Sequence, residues 1–335
     1  MNISTHWHLK APLNRRRVLQ AALSAALPAI ATAAPQGWPS RPIRIVVGFG
    51  AGSAPDIMMR LFAQELARRL GQATVVENRP GATGNIAAEA VAKSAPDGYT
   101  LFYGTNTTHA INPSLYHKLP YDHIKDFQPI TITGKVWNAL LVRSNSPITD
   151  FRTLVAMARA RPGQLSFASG GNGTSLHLTG EMLKHRLGVD IIHVPYKTGD
   201  AAFADVAGGR VDMVFANIPA AIPYVQSGRL KALAVTSLAR SPLMPEVPSL
   251  NELGLNQFEV SGWGGLFAPR GLPTPILQRL SQEMTAILTD PAMVKRLDTL
   301  GAVAMHSSPT EFGKFIESET LRWREVVQAS GAQMD

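Results

Sequence analysis

The fold is decided by the stretch RIVVGFGAGSAPD, residues 44–56. Its first part, Arg44–Phe49, is a continuous apolar run with β-branched residues, which predicts a buried strand. Gly48–Pro55 then form a loop. From Asp56 to Leu70 the apolar side chains recur with the period of a helix, which Gly71 ends. A strand, a glycine-containing loop and a helix in this order begin an α/β unit.

The same alternation continues along the chain. Further strands are predicted at Thr74–Glu77, Tyr99–Gly104, Ala139–Arg143, Leu165–Ala168, Ile191–Val194, Val211–Phe215 and Leu230–Thr236, with helices at Asn85–Ser94, Asp150–Arg161 and Ser175–Leu187. The C-terminal part predicts three helices, at about Thr274–Leu288, Pro291–Leu300 and Thr310–Ala329. This order predicts parallel sheets with helices on their faces. Two successive α/β units predict two lobes that hinge around a ligand-binding cleft.

Composition excludes several classes of protein. The 335 residues contain no cysteine, which rules out disulfides, a cysteine nucleophile and thiolate metal sites. The net charge is +8, but four of the 32 basic residues lie in residues 1–33, which lack Asp and Glu. The remainder carries 28 basic and 24 acidic residues, a charge of +4 without basic runs. We therefore predict no nucleic-acid partner and a mild preference for anionic ligands.

The N-terminus predicts a cleavable export signal. A polar segment ends in Arg15, Arg16 and Arg17, residues 18–30 are apolar, and Ala31-Thr32-Ala33 fits the small-x-small cleavage pattern. The apolar stretch is too short for a membrane span. The paired arginines fit a twin-arginine signal as well as a general secretory one, and this alternative stays open. We expect cleavage after Ala33 and a protein that works in the periplasm.

The sequence offers little support for an enzyme. Gly48, Gly50 and Gly52 follow a strand as in a dinucleotide-binding fingerprint, but Ser53 occupies the place of a third glycine. The histidines after the leader have no metal-ligand spacing: His109, His117, His123, His177, His185, His193 and His306. We predict no catalytic activity, no metal and no cofactor. A nucleotide-dependent enzyme is kept as an alternative on the glycine loop alone.

Three loops favour anion binding instead. Gly48–Pro55, Thr105–His109 and Ser169–Ser175 each leave the C-terminal end of a strand, where open α/β sheets bind ligands. Helix N-termini carry unpaired N–H groups and a partial positive charge, which attract carboxylates. Asp56 either caps the first helix or faces the ligand. Asn217, after a strand, is either a turn residue or a ligand contact.

A family resemblance adds to this interpretation. The motifs RPIRIVV (41–47), VENRPGATGN (76–85), APDGYTL (95–101), THAINP (108–113), LPYD (119–122), ASGGNGT (168–174), HVPYK (193–197) and LAVTS (233–237) resemble the Bug proteins in the same order. These are periplasmic solute receptors of tripartite tricarboxylate transporters. The resemblance implies a two-lobed periplasmic-binding-protein fold of type II, the Venus-flytrap fold, with a mixed sheet flanked by helices in each lobe. Lobe 1 would contain residues 38–138 and 265–335, and lobe 2 residues 139–264.

The resemblance also implies a function and a site. The protein would act as a monomer that captures a small organic acid and delivers it to inner-membrane transporter subunits, although a receptor that feeds a two-component sensor is an alternative. The ligand-binding positions that carry over are Phe49, Gly50, Ala51, Asp56, Thr105, Asn106, His109, Ser169, Gly173, Thr174 and Asn217. Two departures stand out. The family's prolines and glycine triplet are lost from residues 48–56, and Ala216 stands where the family often has Asp.

Overall fold

The computed structural model of the chain describes residues 37–197 and 199–334, so the predicted leader lies outside the described residues. The strands are β1 (Ile43–Val47), β2 (Thr74–Asn78), β3 (Thr100–Thr105), β4 (Phe127–Arg143), β5 (Ser166–Ser169), β6 (Ile192–Pro195), β7 (Met213–Asn217), β8 (Leu230–Val235), β9 (Ser261–Pro269) and β10 (Ala302–Ala304). The α-helices are α1 (Ala54–Leu70), α2 (Asn85–Ala92), α3 (Asn112–Leu115), α4 (Phe151–Ala160), α5 (Ser175–Leu187), α6 (Gly199–Ala207), α7 (Ile218–Gln226), α8 (Thr274–Leu288), α9 (Pro291–Asp298) and α10 (Pro309–Ser330). A π-helical turn, Thr107–Ile111, precedes α3.

The first α/β unit forms as the sequence predicts. β1 pairs in parallel with β2 on one side and with β3 on the other. Side chains alternate across the sheet, so Ile45 belongs to the same core cluster as Phe62 of α1, whereas Val46 belongs to a second cluster with Ala87 of α2. Helices therefore cover both faces, which is why β1 is apolar throughout.

The 17-residue strand β4 is the longest and joins two groups of strands. Its first part, Phe127–Trp137, pairs antiparallel with β9, and its last part, from Asn138, pairs with β7 and β8. The sequence predicted only Ala139–Arg143. Pro129 and Gly134 interrupt the apolar pattern, and the pairing with β9 shifts register next to each of them. Proline and glycine are tolerated in a strand at such bulges.

Strand β9, SGWGGLFAP, was not predicted at all, because its glycines are typical of loops. The strand is buried along its whole length. A Cβ at Gly264 would lie 2.3 Å from the Tyr103 hydroxyl, and one at Gly265 would lie 2.2 Å from the Phe312 ring. These glycines make room for aromatic side chains of neighbouring elements.

The second group of strands repeats the parallel pattern. β5 pairs in parallel with β6 and with β7, and β7 pairs antiparallel with β4. The three predicted C-terminal helices are present as α8, α9 and α10, with β10 between the last two. In α10, Phe312, Ile316 and Trp323 enter the core, as their spacing predicts.

The topology brings the ends of both groups together. Thr105, at the end of β3, pairs with Gly264, which in turn pairs with Gly134 in β4. Asn217, at the end of β7, pairs with Asn138 in β4. Because β7 runs opposite to β4 and β3 runs along it, the C-terminal ends of β3 and β7 face each other across the middle of β4.

Candidate functional site

A cavity of about 470 Å³ lies where these strand ends meet, a size typical of small-molecule sites. Its wall includes the loop between β1 and α1, the end of β3, the loop between β5 and α5, and the start of α7. Strands β4 and β9 contribute Gly134, Val136 and the segment Gly262–Gly264. Sequence patterns missed these last residues, because neither strand segment was predicted.

Eight of the eleven predicted ligand-binding residues lie in the cavity wall. They are Phe49, Gly50, Ala51, Thr105, Asn106, Ser169, Thr174 and Asn217. The structure does not bring Asp56, His109 and Gly173 to the wall. Each of these three residues instead supports one of the loops that do line the cavity, as the following contacts show.

The Asp56 carboxylate is buried and stabilises the first loop through hydrogen bonds. It accepts hydrogen bonds from the Gly52 N–H at 3.0 Å and the Asn78 amide at 2.9 Å, and Arg60 lies at 2.9 Å. Burial alone would raise the pKa of Asp56. The hydrogen bonds from Arg60, Gly52 and Asn78 outweigh burial and lower the pKa below its usual value. Asp56 is thus an ionised anchor within the first turn of α1.

His109 supports the second loop. Its ring is fully buried and stacks on Phe267 with centroids 3.9 Å apart. Its Nδ1 lies 2.9 Å from the Thr108 hydroxyl, which also accepts a hydrogen bond from the Thr105 N–H. Burial lowers the pKa of His109 well below its usual value, so the imidazole is neutral. This neutral ring fixes the end of β3 beside the cavity.

Two further histidines support the third loop. The Gly173 N–H donates to Nδ1 of His177 at 3.0 Å, and the Ser169 hydroxyl lies 2.6 Å from Nε2 of His193. The two imidazoles stack with centroids 3.9 Å apart. Burial lowers the pKa of His177 to about 4, and burial together with the neighbouring His177 and Lys184 lowers that of His193 to about 3. Both rings are neutral near pH 7.

Gly173 itself is required by shape. Its φ is +73°, and a Cβ there would lie 1.8 Å from Leu115 Cδ2. The position therefore demands glycine both for the left-handed backbone and for space. Its neighbour Thr174 begins α5: the hydroxyl donates to the Gly171 carbonyl at 2.9 Å and accepts from the His177 N–H at 3.3 Å.

The remaining N-cap positions at the cavity are not used for capping. Asn217 begins α7 but donates its amide to Asn138 Oδ1 at 2.7 Å and makes no capping hydrogen bond. Ser53 begins α1, lines the cavity and makes no capping hydrogen bond either. Sequence reasoning considered Ser53 only as a missing glycine. The sequence signal that could have identified Ser53 is its position just before the helix that begins at Ala54.

The electrostatics of the wall suit an anion. Three charged side chains reach it, Lys197, Arg229 and Asp200, and the Asp200 carboxylate accepts the Tyr224 hydroxyl at 2.9 Å. The N-termini of α1, α5 and α7 add partial positive charge. Within the part of the chain that the structure describes, no group of three or more His, Asp or Glu side chains could hold a metal ion. No helix of that part combines the length and apolarity needed to cross a bilayer.

Fold and cavity together define a solute-binding protein of the periplasmic-binding class, with the mixed α/β fold that the sequence predicted. The family model described as "Tripartite tricarboxylate transporter family receptor" matches residues 57–332. The chain belongs to this family of receptors, as the Bug resemblance predicted. Because the family consists of binding proteins, the prediction of a receptor and not an enzyme is confirmed.

Individual relatives agree with this assignment. BugT of Bordetella pertussis is 36% identical over 298 residues, covering 89% of this chain and 91% of BugT. A Rhodopseudomonas palustris protein solved with adipate is 36% identical with a TM-score of 0.86, covering 89% of this chain and all of its own. MatC from the same organism, solved with bound malate, is 34% identical with a TM-score of 0.81, covering 87% of this chain and all of MatC.

Proposed function

We propose that this protein captures a small carboxylate in the periplasm and delivers it to the inner-membrane subunits of a tripartite transporter. The observation that carries the proposal is the convergence of three helix N-termini, those of α1, α5 and α7, on one cavity. Helix N-termini bind carboxylates through free N–H groups and their partial charge. The relatives solved with adipate and malate support this class of ligand.

We propose that the ligand contacts come from the eight predicted residues in the cavity wall. Asp56, His109 and Gly173 then act indirectly, by holding the loops that carry those contacts. We further propose that the two lobes divide at residues 138/139 and 264/265. The first division lies one residue from the point, between Trp137 and Asn138, at which β4 changes its partner from β9 to β7.

A thermal-shift screen tests the binding step. The mature protein is titrated with adipate, malate, citrate, benzoate and glutamate, and a bound carboxylate should raise the unfolding midpoint because it stabilises the native state. Thr174→Phe should abolish the shift by filling the cavity, whereas Thr149→Phe, at an exposed position, should keep it. Binding that survives Thr174→Phe unchanged would place the site elsewhere.

Export and delivery need separate experiments. N-terminal sequencing of the protein from a periplasmic fraction should begin at Ala34. Deleting the gene in its host should abolish uptake of the radiolabelled carboxylate that binds, and the full-length gene should restore uptake. Normal uptake in the deletion strain would contradict delivery while leaving binding intact. Light scattering should show a monomer.

A further inference from the structure

Two hydroxyl groups in the cavity wall have no hydrogen-bond partner. They are Ser53 Oγ, at the start of α1, and Thr105 Oγ1, at the end of β3; both atoms are buried, and Thr105 as a residue is only 5% exposed. Within residues 37–197 and 199–334 no acceptor or donor reaches either oxygen. Buried polar groups are nearly always paired in native proteins, so two such groups in one cavity require an explanation.

The backbone positions Ser53 for capping, yet its hydroxyl does not cap. Its φ and ψ of −69° and 157° nearly equal those of Ser308 at the start of α10, −67° and 160°. Ser308 accepts the Glu311 N–H in a full capping box, whereas Ser53 accepts nothing. The difference therefore does not come from the local backbone at the cap residue. Ser53, unlike Ser308, lies in the cavity wall.

Thr105 reaches the same region from the neighbouring strand. β1 and β3 are parallel and paired, so the loop after Val47 and the residue after Gly104 leave the same edge of the sheet. The Thr105 N–H is already used by Thr108, at 3.1 Å, but its hydroxyl is unused. The nearby Asp56 carboxylate is occupied by Gly52, Asn78 and Arg60 and does not take up these hydroxyls.

We propose that Ser53 and Thr105 form a ligand-recognition pair whose hydroxyls donate to a carboxylate oxygen of the solute. The inference rests on the proposed function and adds Ser53 to its site. A carboxylate is an acceptor-only group, and a hydroxyl that makes no other bond can donate to it fully. The N-terminus of α1 adds favourable partial charge beside Ser53. Without ligand the two hydroxyls reduce stability, because burying an unpaired polar group is unfavourable.

Three variants test the pair: Ser53→Ala, Thr105→Val and, as a matched control, Ser308→Ala. Calorimetric Kd values for adipate and malate, and the ligand-free unfolding midpoint, are measured for each. Ser53→Ala and Thr105→Val should each raise the Kd of the bound probe about tenfold, the effect of losing one hydrogen bond to a charged group. Neither should lower the ligand-free midpoint. Ser308→Ala should do the reverse, lowering the midpoint and leaving Kd unchanged.

The outcomes separate the inference from the proposed function. If the probe binds with wild-type Kd in Ser53→Ala and Thr105→Val, the inference is wrong and the receptor function stands. If no carboxylate binds the wild-type protein, the proposed function fails, and the inference, which rests on it, fails with it. A Ser53→Ala midpoint that falls as far as that of Ser308→Ala shows a capping role and overturns the inference. A raised Kd together with a ligand-free midpoint that does not fall supports the inference.

Discussion

Helix N-termini at the cavity differ from those elsewhere in the described chain. Away from the cavity, Asp150, Asp290 and Ser308 each accept a first-turn N–H with the side chain, at 2.7–3.2 Å. At the cavity, Ser53 and Asn217 could do the same and do not. Thr174, at the start of α5, does cap its helix, at 3.3 Å. Two of the three helix N-termini at the cavity, those of α1 and α7, thus carry a side chain that could cap the helix but does not.

Helix N-termini in this fold therefore serve either stability or ligand binding. A capping side chain satisfies an N–H group and stabilises a helix by about 1 kcal/mol. An uncapped terminus in a cavity forgoes that stability but keeps donors for a ligand. Side chains outside the cavity wall stabilise the loops instead. Ionised Asp56 stabilises the first loop, and neutral histidines stabilise the other two. Four experiments test this difference between the two kinds of helix N-terminus.

The largest effect should come from acid. In the unfolded chain an imidazole has a pKa of about 6.5. In the folded chain burial lowers the pKa of His109 well below this value, that of His177 to about 4 and that of His193 to about 3. Between about pH 6.5 and about pH 4 the unfolded state binds more protons than the folded state. The free energy of unfolding therefore decreases as the pH falls over this range. Each imidazole contributes a slope of up to about 1.4 kcal/mol per pH unit.

Denaturant titrations at pH 7, 6 and 5 measure this slope. Asp56 acts in a different window, because its pKa lies below 3.8 in the folded chain and its stabilisation is lost only in stronger acid. His177→Gln should reduce the slope, and the exposed His306→Gln should not. A stability that stays constant from pH 7 to 5 would show that the loops are not held by neutral imidazoles.

The next effect concerns the loop before α5. Gly173→Ala combines a left-handed backbone with a Cβ placed 1.8 Å from Leu115 Cδ2, and should reduce the free energy of unfolding by about 3 kcal/mol. Gly188→Ala is the matched control, since Gly188 has a similar φ of +61° and no atom within 4 Å of the added Cβ. It should lose about 1 kcal/mol. Equal losses would mean that Leu115 moves aside.

The capping prediction is smaller. Asp290→Ala removes the acceptor of the Ala292 N–H and should reduce the free energy of unfolding by about 1 kcal/mol. Asn217 occupies the cap position of α7 but makes no capping bond. Asn217→Ala should therefore not reduce the free energy of unfolding through the loss of a cap. Its effect should instead vanish in an Asn138→Ala background, because the Asn217 amide bonds Asn138. A double-mutant cycle in urea measures this coupling.

The smallest effect should come from Arg60. Its pair with Asp56 lies four residues along α1, and the Arg60 side chain is 52% exposed. Arg60→Ala should therefore change the free energy of unfolding by only about 0.5 kcal/mol. Lys93→Ala, which removes another exposed pair of the same spacing, is the control. A much larger loss in Arg60→Ala would show that Arg60, through its contacts with Asp56 and with Asn78 Oδ1 at 2.9 Å, holds the first loop more strongly than the Gly52 and Asn78 bonds to Asp56 do.

Much of the architecture was predictable because it is local. The apolar run before Gly48 and the helical period after Asp56 gave β1 and α1 within two residues of their ends. The parallel pairing of β1 with β2 and β3 followed from the alternation of strands and helices. The first part of β4 and the whole of β9 were not predicted. Their prolines and glycines are needed for bulges and for contact with the rings of Tyr103 and Phe312, which lie in distant segments.

The candidate site divides in the same way. The sequence alone predicts that three loops after strands carry glycine or hydroxyl residues, because strand ends and helix starts favour those residue types. Only the tertiary structure decided which of them face the cavity, because β4 aligns β3 and β7 end to end. The tertiary structure also places Asp56, His109 and Gly173 behind the loops that line the cavity, where they stabilise these loops. It leaves the Ser53 hydroxyl in the cavity wall without a hydrogen-bond partner. Whether a hydroxyl such as that of Ser53 has a hydrogen-bond partner depends on its tertiary surroundings, so no local sequence pattern reveals it.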